Sequence, residues 1–393
     1  MDEIAKTRLK VFIGLAVIVI IVHVILIRVF VMSGSGGNPE KKPAPETPQQ
    51  TEQGAKEPEK KAPAPVVKTR FFRASANPRF GAPLDYATAV HGDIPATVVP
   101  GGSKGARSGI IVDMDTRRVI WEKNSRKPVP IASMAKMMTM LLVMEEMEKR
   151  PAVDINTPIT VTQTARNVPR TGVLFLAPGE KFTVQELMVA TAVKSANDAA
   201  TLLAEYFGGS VPAFIARMNQ RAAELDLKSL QFFSPCGLAD GQNRNAVGSA
   251  ADMVLLGEQL FQYPLLIQWC NIKSASIRNG KTVFVNTNHL VNPRYPGVDG
   301  LKTGFLRAAG TCLTFSCLRD SRRIMGCVTG FKTARDRDFF CRRLLDWAYK
   351  QPGTATRPPV LVPDPALKPA AKSAAKPAAK APVRKTAPAQ KKR

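Results

Sequence analysis

Histidine is scarce in this chain of 393 residues: there are three, His23, His91 and His289. His23 lies in an apolar run, so a zinc site or a Ser-His-Asp triad would rest on two isolated residues, which argues against both. Cysteine is sparse too. The six, Cys236, Cys270, Cys312, Cys317, Cys327 and Cys341, form no Cys-x-x-Cys pair and fall at irregular gaps. They leave two readings open, disulfides of unreadable pairing in an oxidising compartment or buried free thiols. Aromatics make up 7% of the chain and build no arginine-aromatic ladder, zinc-finger spacing or RRM-like run, so the net charge of +25 does not by itself point to nucleic acid.

The charge is unevenly placed. Residues 351–393 carry ten Lys or Arg against one Asp in a stretch made largely of Ala, Pro and Lys, whose prolines forbid a long helix. This reads as a solvated cationic arm. At the other end, residues 1–10 carry Lys6, Arg8 and Lys10, and Val11 to Ile27 is apolar except for His23. With Arg28 snorkelling and Val29 to Met32 continuing the run, residues 11–32 are long enough to span a bilayer. No Ala-x-Ala cleavage site follows, which favours an uncleaved signal anchor over a removed signal. The leading basic residues keep the N-terminus cytoplasmic and send the rest across the membrane, so the expected localisation is single-pass with an extracytoplasmic domain. Residues 33–104 form a Pro-rich tether and lead-in, whose first 38 residues would reach ~35 Å as a flexible coil.

Residues 105–350 read as one mixed α/β (α+β) unit. Ser108 to Val112 and Arg118 to Glu122 are β-rich runs around the turn Asp113-Met114-Asp115-Thr116. Ile131 to Met147 is apolar on nearly every face, the mark of a helix in the middle of a domain. Further helices are predicted at Val184 to Ala192, Asp198 to Tyr206, Pro212 to Leu225 and Ala250 to Phe261. Thr311 to Leu318 and Arg323 to Thr329 read as strands, and Arg337 to Tyr349 as a closing helix. Strands at both ends with helices between predict an antiparallel sheet whose terminal segments pair, flanked by helices and carrying an inserted helical lobe.

Three short motifs carry chemistry. In Ser133-Met134-Ala135-Lys136 the spacing of three puts a hydroxyl and an amine on one helical face, near a helix N-terminus that favours a developing oxyanion. A lysine held in apolar surroundings loses proton affinity and becomes a base. Ser195-Ala196-Asn197 falls between two helical stretches, and Lys302-Thr303-Gly304 leads into a strand-like run, where Gly304 would let a ligand's backbone lie close. Copies at Ser373-Ala374-Ala375-Lys376 and Ser75-Ala76-Asn77 lie in the tail and near the tether. Only the first set occurs in order, each member at the end of a suitable element.

As an ordered set these motifs resemble those of penicillin-binding proteins and serine β-lactamases. Ile131 to Thr139, Ser195 to Ala200 and Gly297 to Gly304, with Ala309-Gly310 and Arg337, are similar to the low-molecular-mass D-alanyl-D-alanine carboxypeptidases over roughly Gly105 to Tyr349. The resemblance implies a β-lactamase/DD-peptidase-like fold and a penicillin-sensitive hydrolase that removes the terminal D-Ala from peptidoglycan stem pentapeptides. Ser133 would be the nucleophile, Lys136 its base, Ser195 the proton relay, and Asn197 the residue orienting Lys136 and the substrate. The backbone N–H groups of Ser133 and Phe305 would form the oxyanion hole, while Lys302, Thr303 and Arg337 would hold the terminal carboxylate. Neither a metal nor an organic cofactor is implied. Two departures stand out: Leu306 where the family often has Thr, which bears on substrate contacts, and Ser234-Pro235-Cys236-Gly237-Leu238 where Asn-Pro-x-Gly-Leu is usual, a change that can alter a turn without touching catalysis. The N-terminal helix would replace the C-terminal amphipathic anchor of many members. An endopeptidase acting on cross-links would use the same residues, and a catalytically silent wall-binding protein would keep them idle. A β-lactamase would need a deacylating carboxylate beside the second motif, where no Glu-x-x-Leu-Asn run is found.

Overall fold

The computed structural model describes residues 80–291 and 295–353. The apolar run at 11–32, the stretch 33–79 and the tail beyond 353 lie outside the described residues. In chain order the elements are β1 (Val90–His91), β2 (Ser108–Asp113), β3 (Val119–Lys123) and β4 (Val129–Pro130), then a 3-10 turn (Ala132–Ala135) running into α1 (Lys136–Lys149). There follow β5 (Pro158–Thr160), α2 (Gln163–Arg166), β6 (Lys181–Thr183) and α3 (Val184–Val189), which ends in a π turn (Ala190–Lys194). Next come α4 (Asn197–Gly208), α5 (Val211–Glu224), β7 (Val247–Gly248), α6 (Ala250–Leu260) and α7 (Pro264–Cys270). The hairpin β8 (Ser274–Ile277) and β9 (Thr282–Val285), the strands β10 (Val298–Leu306), β11 (Gly310–Arg319) and β12 (Arg322–Phe331), and α8 (Ala334–Ala348) complete the chain.

The main sheet has the order β1-β3-β2-β12-β11-β10. The N-terminal hairpin and the C-terminal strands meet at β2 and β12, where Ile110 lies opposite Cys327, so the two ends of the unit pair as the pattern predicted. All neighbours run antiparallel except the short β1 beside β3. Every residue of β2 is buried, because both sheet faces are covered. Alternation sorts the side chains. Ile110 and Val112 join Met325 and Cys327 against the helical lobe, whereas Ile111 joins Trp121, Phe315 and Ile324 under Phe340, Leu344 and Leu345 of α8. Within the lobe, α1 is buried from Lys136 to Met147, and its last buried charges, Glu145 and Glu146, are paired with Arg221 and Arg217 of α5 at 2.8 Å each.

The packed unit begins before Gly105, the start that composition indicated. Val119 N–H donates to Asp85 O at 2.7 Å, and Ile94 and Val99 are fully buried against the α8 face of the sheet. These apolar residues are isolated in a Pro- and Gly-rich stretch, so no period marked them. The hairpin β8–β9 escaped notice for a similar reason, since its outward positions mix Ser with Val. All six cysteines are buried and unpaired. Among the described residues no single helix is long and apolar enough to cross a membrane.

One buried ion pair ties the sheet to the lobe. Arg117, in the β2–β3 turn, donates to Glu258 of α6 at 2.5 Å, with both side chains nearly inaccessible. Burial pushes the Glu258 carboxyl above its usual range despite the guanidinium beside it. Removing one partner strands the other as an uncompensated charge. Arg117→Met is therefore expected to lower unfolding free energy by roughly 3 to 5 kcal/mol in urea denaturation, while a change below about 1 kcal/mol would contradict this account of the pair.

Candidate active site

The chain enters the site from β4, whose Val129 and Pro130 pair with Gly248 and Val247. Ile131 N–H donates to Ala246 O at 3.0 Å, and Ala132 then takes a left-handed φ of 49° to start the 3-10 turn. Ser133 thus sits in a tight turn that precedes the α-helix rather than in its first turn, as the pattern had placed it. Three residues per turn bring positions i and i+3 over one another. Half-buried Ser133 and fully buried Lys136 accordingly stand with Oγ and Nζ 2.9 Å apart.

Two further acceptors surround this amine: Asn197 Oδ1 and Cys236 O, each 2.7 Å from Nζ. A neutral lysine has two N–H hydrogens and one lone pair. As an ammonium Lys136 donates to all three oxygens; once it has lost a proton, its two remaining hydrogens serve Asn197 and Cys236 and its lone pair turns to the Ser133 hydroxyl. Burial is the largest influence on Lys136 and brings its pKa from 10.5 to about 8, against the opposing effects of Cys236 and Asp198.

The second motif is aimed by an unusual helix end. The π turn finishes at Ser195, which holds φ 62° and ψ 34°, and Ser195 N–H returns to Ala190 O. A left-handed serine costs roughly 1 to 2 kcal/mol, so the surroundings must enforce it. Asn197 does part of this: its N–H donates to Gly172 O at 2.7 Å and its Nδ2 to Thr171 O at 2.6 Å while its Oδ1 faces Lys136. Buried Asp198 continues the clamp, accepting from Leu174 N–H at 2.9 Å and Leu176 N–H at 3.2 Å. Between those amides Phe175 is held at φ 54° with its ring more than half exposed. Arg278, in the β8–β9 turn, reaches the Leu174 and Phe175 carbonyls and pairs with Glu180.

The third motif lies inside β10, the open edge of the main sheet, rather than leading into a strand. A Cβ on Gly304 would lie 2.7 Å from Ile131 O and 3.2 Å from Ala132 Cβ. Glycine here lets the strand lie against the serine-bearing turn, which corrects the expectation that it makes room for a ligand. Lys302 is 1% exposed, and its Nζ donates to Thr303 O at 3.2 Å. Burial, with Lys136 and Arg337 adding like charge, drives its proton affinity well below that of an ordinary lysine. Thr303 Oγ1 lies 2.7 Å from Thr287 Oγ1, a partner that the motifs did not reveal. Phe305 is two-thirds exposed on the strand edge. Arg337 is placed differently from expectation. It is 2% exposed, with Nε and Nη2 donating to Asp338 Oδ1 and Nη1 to Cys312 O, so the pair of donors expected for a carboxylate is already engaged. Cys312 is the register partner of Gly304, which puts this guanidinium one strand behind the motif.

The turn Ser234 to Leu238 also belongs to the site. Ser234 Oγ accepts from Gly237 N–H at 3.1 Å and donates to Leu238 O at 2.7 Å, so a serine closes the turn. The closed turn directs Cys236 O at Lys136 and Pro235 O at Thr139 Oγ1, 2.6 Å away. Gly237, at φ 80°, leaves no room for a side chain: its Cβ would lie 2.0 Å from Ala132 O. Gly237→Ala must therefore displace either the Lys136 acceptor or the serine turn. Acylation by a fluorescent penicillin is expected to fall by about 30- to 160-fold, since about two to three kcal/mol of backbone strain lands on the nucleophile. Wild-type labelling kinetics would contradict this coupling.

Comparison with known proteins places this geometry in a lineage. The D-alanyl-D-alanine carboxypeptidase family matches residues 96–333, which include all three motifs. The chain is 34% identical over 249 residues to the D-alanyl-D-alanine carboxypeptidase DacF of Bacillus subtilis, covering 63% of this chain and 62% of that protein. It is 32% identical over 211 residues to a D-alanyl-D-alanine endopeptidase of Pseudomonas aeruginosa, covering 52% and 65%. The chain therefore spans less than two thirds of the length of these curated relatives. Among solved structures it is similar to penicillin-binding protein D2 of Listeria monocytogenes in its cefotaxime-bound form, with TM-score 0.57, 26% identity and coverage of 63% of this chain and 98% of that one. The fold is that of the DD-peptidases, and the chain belongs to the D-alanyl-D-alanine carboxypeptidase family.

Proposed function

We propose that this protein is a serine D-alanyl-D-alanine carboxypeptidase that removes the terminal D-Ala from peptidoglycan stem pentapeptides through an acyl-enzyme on Ser133. The observation that carries the reading is the fully buried Lys136 amine, 2.9 Å from Ser133 Oγ and bonded to Asn197 and Cys236. Ser133 Oγ attacks the carbonyl between the two D-alanines as its proton passes to Lys136 Nζ. Collapse of the tetrahedral adduct breaks the amide bond, and the leaving amine takes a proton relayed by Ser195. Water then attacks the ester, freeing the shortened peptide and returning a proton to Ser133. Backbone N–H groups of Ser133 and Phe305 receive the oxyanion. Lys302 and Thr303 receive the terminal carboxylate, with Arg337 behind them. A β-lactam would enter the same sequence at the attack by Ser133 Oγ, which opens its ring amide bond, and would stop at the acyl-enzyme.

A second reading, an endopeptidase on cross-linked peptides, is favoured by the similarity to the Pseudomonas aeruginosa endopeptidase. The bond cleaved is of the same type, so the same groups serve either substrate. Mass spectrometry of a pentapeptide muropeptide and of its cross-linked dimer separates the two. We further propose that the apolar run at 11–32 holds the enzyme on the cytoplasmic membrane, single-pass, with the catalytic unit outside. The basic tail would then approach anionic wall or lipid groups.

Two outcomes are expected. Ser133→Ala lowers D-alanine release by more than about a thousandfold and abolishes penicillin labelling, whereas Ser373→Ala and Ser75→Ala leave both intact. Retained labelling in Ser133→Ala would remove the nucleophile from this account. Because the base must be neutral, the acylation rate should rise about tenfold between pH 7 and pH 9 with an inflection near 8. An inflection near the ordinary lysine value would mean that Lys136 is not the base.

A further inference from the structure

Arg337 is a buried cation whose orientation is set by another residue. Its side pair of donors, Nε and Nη2, converges on a single oxygen of Asp338, at 2.8 and 2.6 Å. The other carboxylate oxygen, Oδ2, lies 3.0 Å from Nδ1 of His289. Asp338 is itself 5% exposed, so it bridges a buried guanidinium to a histidine whose side chain is 56% exposed. His289 sits two residues after Thr287, the residue whose hydroxyl meets Thr303. One short segment thus touches the carboxylate clamp through Thr287 and the back of the guanidinium through the His289–Asp338 pair.

The guanidinium has five N–H groups in a rigid fork. Asp338 and Cys312 O take three of them among the described contacts, which leaves one hydrogen on each Nη nitrogen. These two are the donors that remain for an anion. We propose that Asp338 and His289 are positioning residues for Arg337. Asp338 holds the Nε–Nη2 side of the fork, His289 holds Asp338, and the two remaining hydrogens are kept beside the third motif, where a peptide's terminal carboxylate would lie. This rests on the carboxypeptidase reading and adds a determinant of substrate affinity that none of the three motifs contains. The effect belongs to binding of the carboxylate, whereas Lys136 and its partners Ser133, Asn197 and Cys236 make no described hydrogen bond to Arg337, Asp338 or His289.

The test uses the purified full chain in detergent, an N-acylated tripeptide ending in D-Ala-D-Ala, and a D-alanine boronic acid that mimics the acyl half and lacks the terminal carboxylate. Asp338→Asn is expected to raise KM for the peptide about tenfold with kcat changed less than about twofold and boronate affinity unchanged. His289→Ala should raise KM about threefold, and His289→Gln, which keeps a donor toward Asp338, should recover most of it. The histidine is on the surface, so its variants report even if Asp338→Asn folds poorly. An unchanged KM in both Asp338→Asn and His289→Ala, or a loss of boronate affinity parallel to the rise in KM, would overturn the positioning role. If the wild-type protein neither releases D-alanine nor binds the boronate, the functional reading falls as well, and the two failures are told apart by that control.

Discussion

A primary amine taken out of water gives up part of its affinity for a proton, and what it does next depends on the acceptors around it. Lys136 is fully buried and meets three: a serine hydroxyl, a side-chain amide oxygen and a backbone carbonyl. Each comes from a different stretch of chain, so the amine measures whether the whole unit is assembled. Lose any one, and either a hydrogen of the amine is left without an acceptor or its lone pair has no proton to receive. In a dry site such a loss costs about 1 to 3 kcal/mol and releases the geometry of the others.

The fold makes that convergence possible by bringing backbones unusually close. Gly237 lies against the Ala132 carbonyl, and Gly304 lies against Ile131 and Ala132, so the nucleophile's turn is gripped from two sides by chain without side chains. Ala132 and Ser195 both adopt left-handed conformations that their side chains disfavour. Neither would persist alone. The buried α1 helix, the antiparallel sheet and the Arg117–Glu258 link supply a scaffold rigid enough to impose them.

Three buried basic side chains then share one neighbourhood. Lys136 and Arg337 both bear on Lys302, whose described side-chain partner is one carbonyl at 3.2 Å. Like charges held together in low dielectric favour the arrival of an anion, which a peptide's terminal carboxylate supplies. The protein thus separates two tasks among similar side chains. An amine with its acceptors filled is suited to take a proton, and an amine short of acceptors is suited to bind a charge.

Much of this was legible in residues alone. The continuous apolar run of Ile131 to Met147 marked the central helix, terminal β-rich runs marked a sheet closed by its own ends, and the order of three motifs marked the family, because each can be read along the chain without knowing which segments pack together. Where the elements begin was less legible: Ile94 and Val99 carry no period, and only packing on the sheet identifies them as core. The same holds at the site. That Cys236 would lend a backbone carbonyl, that Thr287 would meet Thr303, and that Arg337 would spend its side fork on Asp338 are contacts between segments far apart in sequence. Residue types determined which groups were available for acid, base and charge. Tertiary structure alone decided which of them touch, because burial and the direction of a hydrogen bond exist only once distant segments have packed.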